Sequence, residues 1–142
     1  MTDIINVKLD KGAYMPTRAH DEDAGADIRT PISFILEAGG SATIHTGVHV
    51  ELPYSTVGML KSKSGLNVKH SIVTEGVIDE GYTGEIVVKM HNLGDQHKVF
   101  TRGDKITQLV VMPIVRTQFR KVTDVRGGER GDNGFGSTDG QA

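Results

Sequence analysis

The stretch Thr43-Ile44-His45-Thr46-Gly47-Val48-His49-Val50-Glu51-Leu52 decides the fold class. Ile44, Val48, Val50 and Leu52 fall on one side of an extended chain, and His45, His49 and Glu51 fall on the other. A period of two is the signature of a half-buried β-strand. Weaker strand patterns occupy Asn6 to Leu9, Asp27 to Arg29, Ile32 to Leu36, Thr56 to Leu60 and Ser71 to Thr74. Glu85 to His91 and Lys105 to Val115 are denser in β-branched residues, which favour the pleated conformation. Glycine or proline punctuates nearly every gap, at Pro31, Gly39-Gly40, Pro53, Gly76, Gly81, Gly94 and Gly103. No stretch sustains a helical period, so the expected helix content is a turn or two after Ser64, with that serine as N-cap. The expected fold is all-β, a compact barrel or sandwich with one short helix.

The chain has 142 residues, the size of one domain with one core. Eighteen glycines with four Phe, three Tyr and no Trp describe many turns around an aliphatic core. The absence of cysteine excludes disulfides, thiolate metal sites and a cysteine nucleophile, and suits a reducing compartment. The first thirty residues carry six carboxylates, from Asp3 to Asp27, and no long apolar run. They read as neither signal peptide nor membrane span, so a cytoplasmic protein is expected. A net charge of -2 gives no general attraction to nucleic acid or to an anionic membrane, so neither is expected as a partner. Residues from Arg126 onward hold six glycines and a single bulky apolar side chain, Phe135. They cannot offset their ordering entropy by burial, so the core is expected over 1–124 and a mobile arm over 125–142.

Three segments carry candidate chemistry. Gly76-Val77-Ile78-Asp79-Glu80-Gly81-Tyr82-Thr83-Gly84 lies between two strand patterns and reads as a β-hairpin. There Asp79 can take a proton from water and Tyr82 can present a flat ring, although a turn aspartate has the same signature. Ser62-Lys63-Ser64-Gly65 offers hydroxyls, an ammonium and backbone amides at a helix start, a set that suits phosphate or a plain capped loop. In the arm, Arg130 offers a bidentate fork, Ser137 and Thr138 add hydroxyls, and Phe135 can lie over a base, so the arm reads as a lid over a nucleotide or as a free terminus. Arg116 to Arg130 holds five basic and two acidic side chains, usually a solvated surface but able to steer a polyanion. The single Arg126-Gly-Gly triplet is too little for RNA binding. His45 and His49 share a strand face but stand about 13 Å apart, too far for one ion, and the other histidines have no ligand spacing. No directly bound metal is expected.

Taken in order along the chain, these segments resemble a known family. His20-Asp-Glu-Asp-Ala-Gly-Ala-Asp27, Ser62-Lys-Ser-Gly-Leu66, Gly76 to Gly84, Gly103-Asp-Lys-Ile-Thr-Gln108-Leu and Arg130-Gly-Asp-Asn-Gly-Phe-Gly-Ser-Thr138 are similar to the five ordered motifs of trimeric deoxyuridine triphosphate nucleotidohydrolases. The resemblance implies a jelly-roll-like subunit and a homotrimer with active sites shared among chains. It implies hydrolysis of dUTP to dUMP and pyrophosphate, which keeps uracil out of DNA and supplies dUMP. By that resemblance Asp79 activates the water that attacks the α-phosphorus, and Tyr82 stacks on the deoxyribose. The Val73 to Asp79 segment, with Gly76, Val77 and Ile78, reads the uracil edge, and Val87 lines the same pocket. Lys63, Ser64 and Gly65 hold the phosphate chain, Gln108 meets its α end and Arg130 clamps the γ-phosphate. Phe135 covers the base, with Gly136, Ser137 and Thr138 donating to the terminal phosphates. Magnesium is chelated by the triphosphate and reached by Asp27 through water. Two motifs depart from the family: Ser62-Lys63-Ser64 stands where Pro-Arg-Ser is usual, replacing a planar fork by a point charge, and Asp132, Asn133 and Asp139 stand among positions usually small. A deoxycytidine triphosphate deaminase, which shares the fold, and a nucleotide-binding regulatory protein on the same scaffold are the alternatives.

Overall fold

The computed structural model describes residues 3–136 and 138. The strand pattern at Thr43 to Leu52 is two strands, β4 (Ser41–His45) and β5 (Val48–Glu51), broken at Thr46-Gly47. The predicted alternation holds across the break, since Ile44, Val48, Val50 and Leu52 are all buried. What the pattern hid is a change of sheet. Gly47 takes a φ of 70°, and the Thr46 hydroxyl donates to the Ile86 carbonyl (2.6 Å) and accepts from the Val48 amide (3.2 Å), so the turn is closed by its own side chain.

The remaining elements are β1 (Asn6–Leu9), β2 (Gly25–Arg29), β3 (Phe34–Leu36), β6 (Thr56–Lys61), α1 (Ser64–His70), β7 (Ile72–Ile78), β8 (Val87–Asn92), β9 (Lys98–Phe100) and β10 (Lys105–Pro113). A six-stranded antiparallel sheet runs β2-β10-β6-β7-β8-β4, and two ribbons, β1-β5 and β3-β9, accompany it. Together they form the expected jelly-roll-like β subunit with one short helix. Strand β9 was not anticipated, because three residues are too few to show a period.

The core lies where the sheet and the ribbons face each other. Ile28, Ile44, Leu60, Ile72, Val88, Met90, Ile106 and Leu109 come from the sheet, and Leu36, Val48, Val50 and Phe100 from the ribbons. Phe100 is the largest fully buried side chain and stacks on Phe34 with ring centroids 4.9 Å apart. Buried polar groups are satisfied: the Thr74 and Thr107 hydroxyls meet at 2.7 Å, and Thr107 passes the chain to the Lys61 carbonyl at 2.8 Å. Removing the aromatic anchor leaves a cavity that strands cannot close. Phe100→Ala is expected to destabilise the fold by about 3–5 kcal/mol, read as a lower midpoint in urea unfolding at fixed protein concentration.

Candidate active site

Strand β7 changes partner along its length, and that change makes a hollow. Ile72, Val73 and Thr74 pair with Asn92, His91 and Met90 of β8. From Glu75 to Ile78 the ladder runs instead to β6, with Glu75 opposite Lys61 and Ile78 opposite Gly58. The expected hairpin is present: its flanking strands pair at Ile72 to Thr74, at the end away from the turn. Beyond Thr74 the strands separate, and the β8-facing edge of Glu75 to Ile78 has no strand partner among the described residues. Backbone donors and acceptors on such an edge are free to meet a ligand. The space between is a hollow lined by Leu60, Gly76, Val77, Ile78, Asp79, Tyr82, Glu85, Ile86 and Val87.

Local sequence explains the shape of its rim. A Cβ on Gly76 would sit 3.0 Å from a methyl of Leu60, so glycine lets β6 and β7 close while the hollow stays open above them. The turn after Ile78 is pinned by the Tyr82 amide donating to the Asp79 carbonyl (3.1 Å) and by Gly81 at a φ of 89°. The Tyr82 hydroxyl then donates to the Glu85 carbonyl (2.7 Å), laying its ring along the loop. A Cβ on Gly84 would lie 2.6 Å from the Tyr82 ring, so the ring takes this position only over a glycine. Asp79 itself is exposed at the lip of the hollow.

A second cluster forms where β2, β10 and the start of α1 meet. Asp27 is 4% exposed, its Oδ1 accepting from Lys63 and its Oδ2 from Lys105 at 3.0 Å. Burial pushes the Asp27 carboxyl up, but the two ammonium groups outweigh it and hold the group below its usual 3.8. Lys63, the substituted position of the second motif, is thus part of an ion triad, and Lys105 was missed because a lone lysine in a strand carries no sequence signal. Gln108 donates from Nε2 to the Ser62 carbonyl (2.9 Å) and presses on Gly25, where a Cβ would lie 2.3 Å from its Oε1. Ser62 in turn exchanges hydrogen bonds with the Thr74 backbone. The helix begins after Lys63, whose side chain makes no cap. Ser64 is therefore its first residue, not the N-cap expected of it, and it stands exposed beside Gly65.

The predicted site residues fall into three groups. Gly76, Val77, Ile78, Asp79, Tyr82 and Val87 share the hollow, while Val73 lies further down β7, opposite His91. Lys63, Ser64, Gly65 and Gln108 belong to the triad cluster with Asp27. Arg130, Phe135, Gly136 and Thr138 lie in the arm, and Ser137 lies outside the described residues. Among the described residues Arg130 bonds to the nearby Asn133 carbonyl (3.2 Å), Phe135 is fully exposed, and none of the described arm residues lines the hollow. One further contact was not legible in the sequence. Glu80, next to Asp79, accepts from the Ser55 amide (2.7 Å) and pairs with Arg116, whose guanidinium lies 4.7 Å over the Tyr54 ring. No group of three or more His, Asp or Glu is gathered for a metal among the described residues.

The dUTPase family model matches residues 11–139 of the chain. The deoxyuridine 5'-triphosphate nucleotidohydrolase of Clostridium acetobutylicum is 38% identical over 134 residues, 92% of each chain. Among solved structures, the dUTPase of Staphylococcus bacteriophage 80alpha with dUPNHPP superposes with a TM-score of 0.89 at 32% identity, covering 96% of this chain and 99% of that one. A mutant dUTPase from phage phi11 of S. aureus, which reveals the coordination of a structural Mg(II) ion, gives 0.79 at 29% identity over 86% of this chain and 98% of that one.

The ion triad carries a pH signature. A carboxyl held below 3.8 contributes stability that is fully present above that value and is lost as pH falls through its folded-state pKa. Asp27→Asn is expected to cost about 1.5–3 kcal/mol at neutral pH, the worth of hydrogen bonds to charged groups. In urea unfolding its deficit against the unaltered protein is expected to shrink as pH falls below about 4.

Proposed function

The chain belongs to the dUTPase family, and from that premise we propose that it hydrolyses dUTP to dUMP and pyrophosphate with Asp79 as the general base. The observation that carries the reading is the hollow between β7 and β8, where a free strand edge, an exposed carboxylate and a laid-down tyrosine ring meet. Backbone groups along Glu75 to Ile78 suit the uracil edge, because their donors and acceptors are fixed in space and leave no place for an amino group or a methyl. Tyr82 offers its face to the deoxyribose and leaves no room for a 2′-hydroxyl. Val87 and Val77 supply apolar walls.

In the reaction, Asp79 takes a proton from water as the water oxygen forms a bond to the α-phosphorus. The bond from that phosphorus to the α,β-bridging oxygen breaks in line, and pyrophosphate leaves with the electron pair. The triphosphate is a polyanion beside a carboxylate base, so it needs cations. Lys63, Ser64, Gly65 and Gln108 suit the phosphate chain, Arg130 suits its γ end, and Gly136, Ser137 and Thr138 suit its terminal oxygens. Magnesium, when carried on the triphosphate, supplies charge neutralisation there. The donor set fits that placement and not a protein cage: no carboxylate group is assembled among the described residues, and both oxygens of Asp27 are already on ammonium groups. Asp27 then serves as a neighbour reached through water.

Three groups of residues that share no hollow within one chain support a site completed by other copies in a homotrimer. Exposed Val115, Phe119 and Val125 between the last strand and the arm support the same reading, since a segment with such side chains suits a neighbour's surface. The 125–142 arm, closing with Phe135 over the base, then excludes water from the phosphates. No helix among the described residues is long and apolar enough to cross a membrane, and a cytoplasmic site of action fits the substrate.

The test is pyrophosphate release measured with magnesium across dUTP, dCTP, dTTP and UTP, with dUTP alone expected to be turned over. Ammonia from dCTP would point to the deaminase, and tight dUTP binding without turnover to the regulatory protein. Asp79→Asn is expected to lower kcat about 100- to 10,000-fold. Deletion after Asp124 is expected to lower kcat/KM about tenfold or more while the urea midpoint of the core is kept. Loss of the fold on deletion contradicts the arm assignment.

A further inference from the structure

The loop that carries Tyr82 is tied to the other sheet by a histidine whose two ring nitrogens both face acceptors. His49 Nδ1 lies 2.8 Å from the Thr83 carbonyl, and its Nε2 lies 3.0 Å from Oδ2 of Asp10. A carbonyl oxygen and an ionised carboxylate can only accept. A neutral imidazole has one N–H and satisfies one of them; the imidazolium has two and satisfies both. The contact pair is therefore specific for the charged ring. Loop residues further along are held in other ways: Glu85 accepts from the Gly47 amide (3.1 Å) and from His45 (2.6 Å), and Ile86 exchanges backbone bonds with Val48 and Thr46. Thr83, the residue next to Tyr82, is held by His49.

The geometry points to His49 as a positioning residue for the reaction, which as an imidazolium clamps Thr83 and so fixes the Tyr82 ring against the substrate. This rests on the dUTP reading of the Asp79 hollow. The surroundings agree with a charged ring. The hydrogen bond to Asp10, then that to Thr83, raise the ring above its usual 6.5, against its partial burial and the like charge of Lys8. The same bond holds Asp10 below its usual 3.8. Lys8 lies directly across the β1-β5 ribbon from His49, and Glu51, on the same strand, lines the groove beside it with Asn6 and Thr83. Glu85 and His45 stand beyond Thr83 on the loop and on β4. The His49 side chain is 17% exposed, so the clamp is partly shielded from water, whereas Asp10 is 46% exposed and can be altered without disturbing the core.

The sign follows from the raised value. The clamp is fully present below about 6.5 and is lost as pH rises through the folded-state value of the ring. The experiment is kcat/KM for dUTP with magnesium, measured from about pH 6 to 9 on the unaltered protein, His49→Gln and Asp10→Asn, together with 15N NMR of the His49 ring. The ratio of unaltered protein to His49→Gln cancels every other titration that the two share. It is expected to be about three- to tenfold at pH 6, the worth of one hydrogen bond, and to fall towards one at the alkaline end. In Asp10→Asn the fall of activity is expected at lower pH, because the ring has lost the carboxylate that keeps it charged. Two protonated ring nitrogens at pH 6 are expected in the NMR spectrum. A ratio that stays constant with pH in an active protein, a fall unmoved by Asp10→Asn, or a singly protonated ring at pH 6 overturns the positioning role alone. An unaltered protein that releases no pyrophosphate from dUTP at any pH overturns the dUTP reading, and the positioning role falls with it.

Discussion

A strand inside a sheet has two edges to pair, and β7 pairs them with two different neighbours over different parts of its length. At Ile72 to Thr74 it is bound to β8, and from Glu75 to Ile78 it is bound to β6. The consequence is a backbone edge in the middle of a six-stranded sheet that has no strand partner among the described residues, sheltered by the residues that return from the turn. An unpaired edge in such a place is expensive unless water or a ligand uses it. The rest of the site is arranged around it: Gly76 keeps β6 close, Gly84 admits the tyrosine ring, and Gly81 turns the chain so that Asp79 stands at the lip.

Charge is organised differently in the two halves of the candidate site. The hollow contributes a carboxylate, whereas the cluster at the start of α1 places two ammonium groups on one buried carboxylate. The triad carries one net positive charge, and Asp27 holds Lys63 and Lys105 in place so that little side-chain entropy is left to them. A lysine at position 63 therefore has a structural place even though it lacks the fork of arginine. The further cation, Arg130, comes from a segment that has almost no apolar side chain of its own to pack.

Much of this was readable in the residues. The period-two pattern gave the strand class, and the order of the five motifs carried the family resemblance, with Asp79 and Tyr82 at its centre. Other features were not. The break at Thr46-Gly47 was invisible because a strand that crosses from one sheet to another keeps the same inside and outside alternation. Lys105, Glu80 and His49 carried no signal because their roles depend on partners 78, 36 and 39 residues away, at Asp27, Arg116 and Asp10.

The residues alone determined which faces are apolar, where the chain turns and which chemical groups are available, because those follow from side-chain polarity and the conformational freedom of glycine. Tertiary structure decided that a hairpin opens into a hollow, that a buried carboxylate gathers two lysines and that one imidazole meets two acceptors. Those outcomes depend on which strands become neighbours, and pairing between distant segments is settled by the packing of the whole core rather than by any local run of residues.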